Sequence, residues 1–299
     1  MSSLTNKYKP PKDRLYIRRA FAWLFKMSPN HKFIAKMALK LIVISGSVSK
    51  VPVLSWVYKK IILMSKNDHS QGYNLPLNVS ISKDDELKQI VLPIDLMKKA
   101  VVDASYRAIL TTCICRETRG CKEYPTNFGC IFLGTNALRC VENGIAKEAT
   151  IEDCHQHIDK AKSLGLSGQA LWVEVEKYIW GWDIQKVDHV MELCFCCPCC
   201  CTAFKFAEKA DEHIKSIYHR PTGWLATVDE AECINCECCY KVCPLGGIDL
   251  LDECVQTNDH CTGCGLCVEE CPTEAIKIEN FGNTKSDIRE YFSSIDFKI

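Results

Sequence analysis

Cysteine dominates the chemistry open to this chain. The run Cys233-x2-Cys236-x2-Cys239-x3-Cys243-Pro244 is followed by Cys261-x2-Cys264-x2-Cys267-x3-Cys271-Pro272, with every matched pair 28 residues apart. A Cys-x2-Cys-x2-Cys loop can wrap three corners of an iron–sulfur cubane and leave its amides free to donate to cluster sulfurs, while a fourth thiolate comes from elsewhere. Zn²⁺ also takes four thiolates, but two identical runs, each closed by proline, speak for cubanes. Upstream, Cys194-x-Cys196-Cys197-x-Cys199-Cys200-Cys201 packs six cysteines into eight residues, and Cys194, Cys197 and Cys200 repeat the same spacing. Cys113, Cys115, Cys121 and Cys130 lie before it, and any of them could supply a fourth ligand. A third iron–sulfur site is expected here, or a cluster of unusual ligation using more than four of these thiolates. Cys140, Cys154 and Cys254 are isolated and read as packing residues. His155 and His157 point to different faces of a helix and read as solvated side chains.

Over about sixty residues the C-terminal segment resembles the two-cluster bacterial ferredoxin family, in which the cysteine before proline ligates the other cluster. The resemblance implies two [4Fe–4S] clusters. One is held by Cys233, Cys236, Cys239 and Cys271, the other by Cys261, Cys264, Cys267 and Cys243. Two departures stand out. Glu237 and Cys238 replace the family's Gly and a non-cysteine residue, and Gly246-Gly247 follows the first Cys-Pro. Cys239 rather than Cys238 keeps both spacings. The stretch Cys113-Ile-Cys115-Arg116 with Cys130, then the Cys-Cys-Pro-Cys-Cys-Cys run, is similar to poorly characterised cysteine-rich ferredoxin-like proteins, a group with no activity to carry over. A closed cubane transfers electrons rather than transforming substrate. Acidic surroundings such as Asp229, Glu230 and Glu232 disfavour an added electron, so low potentials are expected.

The elements that must position these thiols follow from pattern. The expected fold class is α+β: a ferredoxin-like dicluster module of duplicated βαβ type, a mixed α/β cysteine-rich domain and an N-terminal amphipathic helical arm. The expected divisions are 1–66 for the arm, 67–222 for the middle, 223–282 for the module and 283–299 for a tail. In the module, strands are expected over Leu225–Asp229, Gly247–Leu251, Cys254–Thr257 and Ala275–Glu279. In the middle, apolar periodicity predicts helices over Asp95–Ala108 and Ile151–Leu164. The second is entered by a Thr150/Asp153 capping box and closed by Gly165. Trp172–Tyr178 and Val187–Leu193 read as strands.

The formal net charge of zero conceals polarity. Residues 1–66 carry fourteen Lys and Arg against one acid, Asp13, a net +13, which leaves −13 on the remainder. Phe33, Ile34, Met37, Ala38, Leu41 and Ile42 recur with helical spacing, while Lys32, Lys36 and Lys40 line another face. Aromatics including Phe21, Trp23, Phe25 and Trp56 are interleaved with cations, as in interfacial helices. The arm is therefore expected to meet an anionic membrane surface or an acidic partner, or to pack on the acidic middle domain. Its longest uncharged run, Leu41–Ser49, falls far short of the roughly 20 residues a spanning helix needs. Nucleic acid is disfavoured by the acidic body. Arg18-Arg19 lacks the apolar run and small-residue cleavage site of a signal, so a reducing, cytoplasmic setting is expected, peripheral to a membrane if the arm binds one. The function expected is an iron–sulfur electron carrier or electron-transfer subunit serving redox partner proteins. The alternative is a reductase whose chemistry occurs at Cys194–Cys201, fed by the module.

Overall fold

A computed structural model describes residues 32–62, 70–79, 90–174, 176–292 and 295–299. Its centre is a six-stranded antiparallel sheet of β1 (Gln71–Leu75), β2 (Arg107–Leu110), β3 (Ile131–Leu133), β4 (Ala146–Glu148), β5 (Ser167–Trp172) and β6 (Met191–Cys196), in the order β1-β5-β6-β3-β2-β4. The β5–β6 register sets Gln169 opposite Cys194 and Ser167 opposite Cys196. All six residues of both strands are buried, the polar Ser167, Gln169 and Glu192 included, so neither strand shows an apolar-in, polar-out alternation.

Helix α1 (Lys32–Ser45) and helix α2 (Pro52–Ile62) precede the sheet, and α3 (Pro93–Asp103), α4 (Ile114–Arg119), α5 (Leu138–Glu142) and α6 (Ile151–Ser163) follow in chain order. One sheet face, with Met191, Leu193 and Phe195, packs against α3 and α6 through Leu96, Met97, Val101, Ile158 and Ala161. The opposite face receives Ala35, Ala38 and Leu39 of α1 beside Trp180 and Trp182. Helix α6 starts at the expected capping box: Thr150 N donates to Asp153 Oδ2 at 2.9 Å and Asp153 N donates to Thr150 Oγ1 at 3.1 Å. Gly165, at φ +63°, takes the left-handed turn after it.

Several expected elements are displaced. Helix α3 ends at Asp103, not Ala108, because Arg107 already belongs to β2. Its guanidinium caps the helix by donating to the carbonyls of Val101 and Val102 at 2.5 and 3.0 Å. The strand expected over Trp172–Tyr178 lies earlier, at β5, and Tyr178 belongs to α7 (Glu176–Trp180). The strand expected over Val187–Leu193 starts only at Met191, after a 3-10 turn over Ile184–His189. In α1 the buried stripe is Ala35, Ala38, Leu39 and Val43, whereas Phe33, Met37 and Leu41 of the expected apolar face are exposed. Small residues permit close approach to the sheet, so they, and not the largest apolar ones, face inward. The readings of Arg18-Arg19, Phe21, Trp23 and Phe25 lie outside the described residues.

Helices α8 (Thr202–Ala207) and α9 (Glu212–Tyr218) lead to the C-terminal module. There β7 (Trp224–Val228), α10 (Cys238–Val242) and β8 (Ile248–Leu250) are followed by β9 (Val255–Thr257), α11 (Leu266–Glu269) and β10 (Ile276–Asn280). Each half runs strand–helix–strand, but the pairing joins the halves: β7 is antiparallel to β10 and β8 to β9. The chain then returns to the middle region. Ile288, Tyr291, Phe292, Ile295, Phe297 and Ile299 are buried in the core over the first sheet face, and Tyr73 Oη donates to the Tyr291 carbonyl at 2.5 Å.

Candidate metal centres

The two cysteine runs of the module share one backbone design. Gly263 and Gly265 have φ of +64° and +83°; 28 residues earlier Asn235 and Glu237 have φ of +51° and +60°. These left-handed residues turn each loop so that its cysteines converge, and each loop then enters a short helix, α10 or α11. Glycine adopts such a conformation freely, whereas a residue with a Cβ pays about 1–2 kcal/mol. Glu237 is thus the strained counterpart of Gly265. The Gly263 position also tolerates no side chain, since a Cβ there would meet Trp224 O at 1.8 Å.

Cys261, Cys264 and Cys267 line one small pocket, and Cys243 of the other run lines it with them. Cys233, Cys236, Cys239 and Cys271 line a second. Four thiols of two runs thus surround each space, and Gly247 N donates to Cys243 Sγ at 3.1 Å. Such sets of four thiols, with an amide donor at hand, fit [4Fe–4S] cubanes, which bind through thiolate. Cys238 lines neither pocket; its Sγ lies 3.8 Å from the Cys236 carbonyl.

In the middle region strand geometry sorts the candidate ligands into two groups. Along β6, Glu192, Cys194 and Cys196 point to one side, while Phe195 and Cys197 point to the other, as alternation requires. Cys194 therefore does not join Cys197 and Cys200. The sulfurs of Cys197 and Cys200 lie with those of Cys121 and Cys199, all within 4.8 Å of one another. Cys194 instead meets Cys130, Sγ to Sγ 3.0 Å, and donates to Glu192 Oε1 at 2.9 Å.

Cys113, Cys115, Cys130 and Cys194 line a cavity of about 160 Å³. Cys196 and Cys201, which spacing did not single out, line it too, with Sγ atoms 3.1 Å apart. Only the β6 alternation and the turn after it would have placed them there. Apolar walls come from Leu39, Ile42, Leu171 and Ile179, two acids, Glu176 and Glu192, lie among them, and Arg116 and Cys197 reach the same lining. Burial raises both carboxyls. The Glu192 charge raises Glu176 further, while a hydrogen bond with Glu176 holds Glu192 down. Cys130 contacts Cys194, which opposes the effect, yet burial pushes its thiol up to about 12. Cys196 runs the other way: hydrogen bonds from Cys194 and Cys201, with Arg116 nearby, lower it against the effect of burial.

Cys140, Cys154 and Cys254 are buried packing residues. His155 and His157, expected in solvent, are half-buried instead. His157 stacks on Phe128 with ring centroids 3.8 Å apart and bonds the Gly129 carbonyl at 2.8 Å.

The cavity and the module are contiguous. Leu266 and Cys264, from the second cysteine run, pack in one cluster with Cys194, Cys196 and Cys201. A buried polar chain runs alongside: Asn74 donates to Thr262 Oγ1 at 2.6 Å, Gln169 donates to Asn74 Oδ1 at 2.9 Å, and Cys196 Sγ donates to Gln169 Oε1 at 3.7 Å.

Residues 255–277 match the 4Fe-4S binding domain family. Pyruvate synthase subunit PorD of Methanothermobacter marburgensis is 48% identical over 52 residues, 17% of this chain and 62% of that protein. Polyferredoxin MvhB of the same organism is 38% identical over 69 residues, 21% of this chain and 17% of that protein. One subunit of the ion-translocating oxidoreductase complex of Methanosarcina acetivorans is 33% identical over 75 residues, 24% of this chain and 28% of that protein. The chain therefore spans less than two thirds of each of these curated relatives, and no solved structure matches it. The C-terminal segment of this chain is a 4Fe-4S binding domain of the ferredoxin type.

Proposed function

We propose that this protein is an iron–sulfur electron-transfer protein or subunit. The module at 223–282 holds two [4Fe–4S] clusters, one on Cys233, Cys236, Cys239 and Cys271 and the other on Cys261, Cys264, Cys267 and Cys243. The cysteine-rich middle at 67–222, with the tail 283–299 packed on it, carries a third iron–sulfur site in the cavity, on Cys113, Cys115 and one of the pair Cys130 and Cys194, whose sulfurs at 3.0 Å are too close to bind separate irons of one cubane. The observation that carries this reading is that Leu266 and Cys264 of one cysteine loop pack in the same apolar cluster as the cavity cysteines Cys194, Cys196 and Cys201. Electrons would enter or leave at the exposed side of the module and exchange with the cavity through that contact. Redox partner proteins are supported by the relatives, two of which are by name subunits of pyruvate synthase and of an ion-translocating complex. Anaerobic purification with iron and sulfide counts tests the reading: about eight irons belong to the module alone and about twelve to three cubanes.

A second reading is favoured by the close thiol pairs Cys130–Cys194 and Cys196–Cys201, at 3.0 and 3.1 Å. In it the cavity is a reductase site. A disulfide there takes two electrons, delivered one at a time from the module, and two protons to give two thiols. Eight irons per chain with a redox-active cavity disulfide would select this reading over a third cluster.

The basic arm attaches the protein to an anionic membrane surface. Support comes from α1, which buries one stripe on the middle region while Phe33, Met37, Leu41 and Ile44 stay exposed beside exposed Lys40. The arm also touches the middle through Lys36–Glu117 at 2.9 Å and Lys59–Asp211 at 2.5 Å. No described helix is long and apolar enough to cross a membrane, so attachment would be peripheral. Flotation with anionic vesicles tests it; failure to float would leave an acidic protein partner.

A further inference from the structure

We infer that Cys121, Cys197, Cys199 and Cys200 hold a single Zn²⁺ ion, in a site distinct from the iron–sulfur centres proposed above. Two turns bring the four sulfurs together. Gly120, at φ +62°, ends α4 and folds Cys121 back, so that Cys121 N donates to the Arg116 carbonyl at 3.0 Å. Strand β6 ends at Cys196, and the turn beyond it is closed by Cys201 N donating to Cys197 O at 3.3 Å.

Distance decides how many metals these thiolates can share. Four thiolates on one ion, each at about 2.3 Å, stand about 3.8 Å from one another. Thiolates on separate irons of a cubane are pushed apart by the iron–iron edge and stand about 6 Å apart. All four sulfurs lie within 4.8 Å of one another, and Cys121 and Cys199 are 3.7 Å apart. The same molecule provides the contrast: among the described residues, no three of the eight module cysteines come together this closely.

A second observation asks for negative charge at this place. Arg116 is fully buried. It donates to the neutral carbonyls of Pro125, Phe128 and Phe195 at 3.2, 2.9 and 2.6 Å, and its Nε has no partner. Among the described residues it makes no ion pair with a carboxylate. An uncompensated buried cation costs several kcal/mol. Four thiolates on Zn²⁺ carry a net −2, and Cys197 of this set lies beside the guanidinium, as do Cys113 and Cys196 of the cavity. Tetrahedral all-sulfur ligation suits Zn²⁺, which is redox-inert and closed to further ligands there. Its work is to fasten α4 to the end of β6, the two elements that bring Cys115 and Cys194 to the cavity.

The test uses the full chain purified anaerobically. Elemental analysis should find about one zinc per chain, and zinc-edge X-ray absorption should give four sulfurs at about 2.3 Å. Cys121→Ser and Cys199→Ser should each remove the zinc and leave the iron content at the wild-type level, whereas Cys261→Ser should remove iron and leave zinc. A wild-type protein without zinc, nitrogen or oxygen in the zinc shell, disulfides among these four cysteines, or iron lost from Cys121→Ser would each overturn the inference. If the serine variants fail to fold, the wild-type absorption spectrum alone still decides.

Discussion

Asn74 Nδ2 donates to Thr262 Oγ1 at 2.6 Å, which ties the edge strand of the middle sheet to the loop between Cys261 and Cys264. Asn74 and Gln169 are both fully buried, so neither side chain can exchange its partner for water. The position of one cluster loop is thereby fixed to the sheet that carries the cavity thiols.

The first prediction concerns that tie. Asn74→Ala removes the buried acceptor of one Gln169 Nε2 proton and the donor to half-buried Thr262 Oγ1, at a total cost of about 1–3 kcal/mol. Anaerobic urea denaturation should show the loss. Slower exchange of electrons between module and cavity, measured by rapid-freeze EPR, should accompany it.

Gly263 supplies a sharper steric test. Gly263→Ala places a methyl against Trp224 O at a position of φ +64°, so the Cys261–Cys267 loop must open. Iron should fall by about four per chain, one cubane. Gly246→Ala, at φ +72° with open space around it, should keep its full iron content.

Glu237 offers the opposite outcome. It holds the left-handed position that Gly265 occupies in the second run, and its ion pair with Lys241 at 3.4 Å is exposed and contributes little. Glu237→Gly should stabilise the module by about 1 kcal/mol, seen as a higher denaturation midpoint with unchanged iron.

His219 predicts a pH dependence. Burial lowers its pKa to about 4, although its bond to the Ala203 carbonyl pulls the other way. Its Nε2 lies 3.2 Å from that carbonyl, and its Nδ1 lies 3.4 Å from Gln169 Nε2, a pattern satisfied by the neutral ring with the proton on Nε2. The unfolded chain binds a proton near pH 6.5 and the folded one only near pH 4. The stabilisation is therefore fully present above pH 6.5 and is lost as pH falls through that window. The loss should total about 3 kcal/mol, and His219→Gln should flatten the pH profile of stability between pH 4 and 6.5.

The module was legible because two signals agreed there: cysteine spacing grouped the thiols, and strand-like segments flanking each run marked the four strands. The middle was legible only in part. Thr150 and Asp153 announced α6 by local chemistry, but β5 and β6 are buried on both faces and lack alternation, so their ends were misplaced by several residues. The Cys194-x2-Cys197 spacing suggested a loop around a cluster, yet Cys194 sits in a strand that points it away from Cys197. The tail gave no signal at all. Phe292 and Phe297 pack at ring centroids 5.1 Å apart over the sheet, a long-range contact that no short period in the sequence encodes.

The central claim is that the module holds two cubanes on crossed ligand sets. EPR of the anaerobically reduced protein, with iron counted on the same sample, tests it most directly. Two magnetically interacting [4Fe–4S]⁺ centres are predicted, with Cys243→Ser perturbing the centre of the Cys261 run and Cys271→Ser that of the Cys233 run. A module with no iron, or serine variants that perturb the centre of their own run instead, would contradict it.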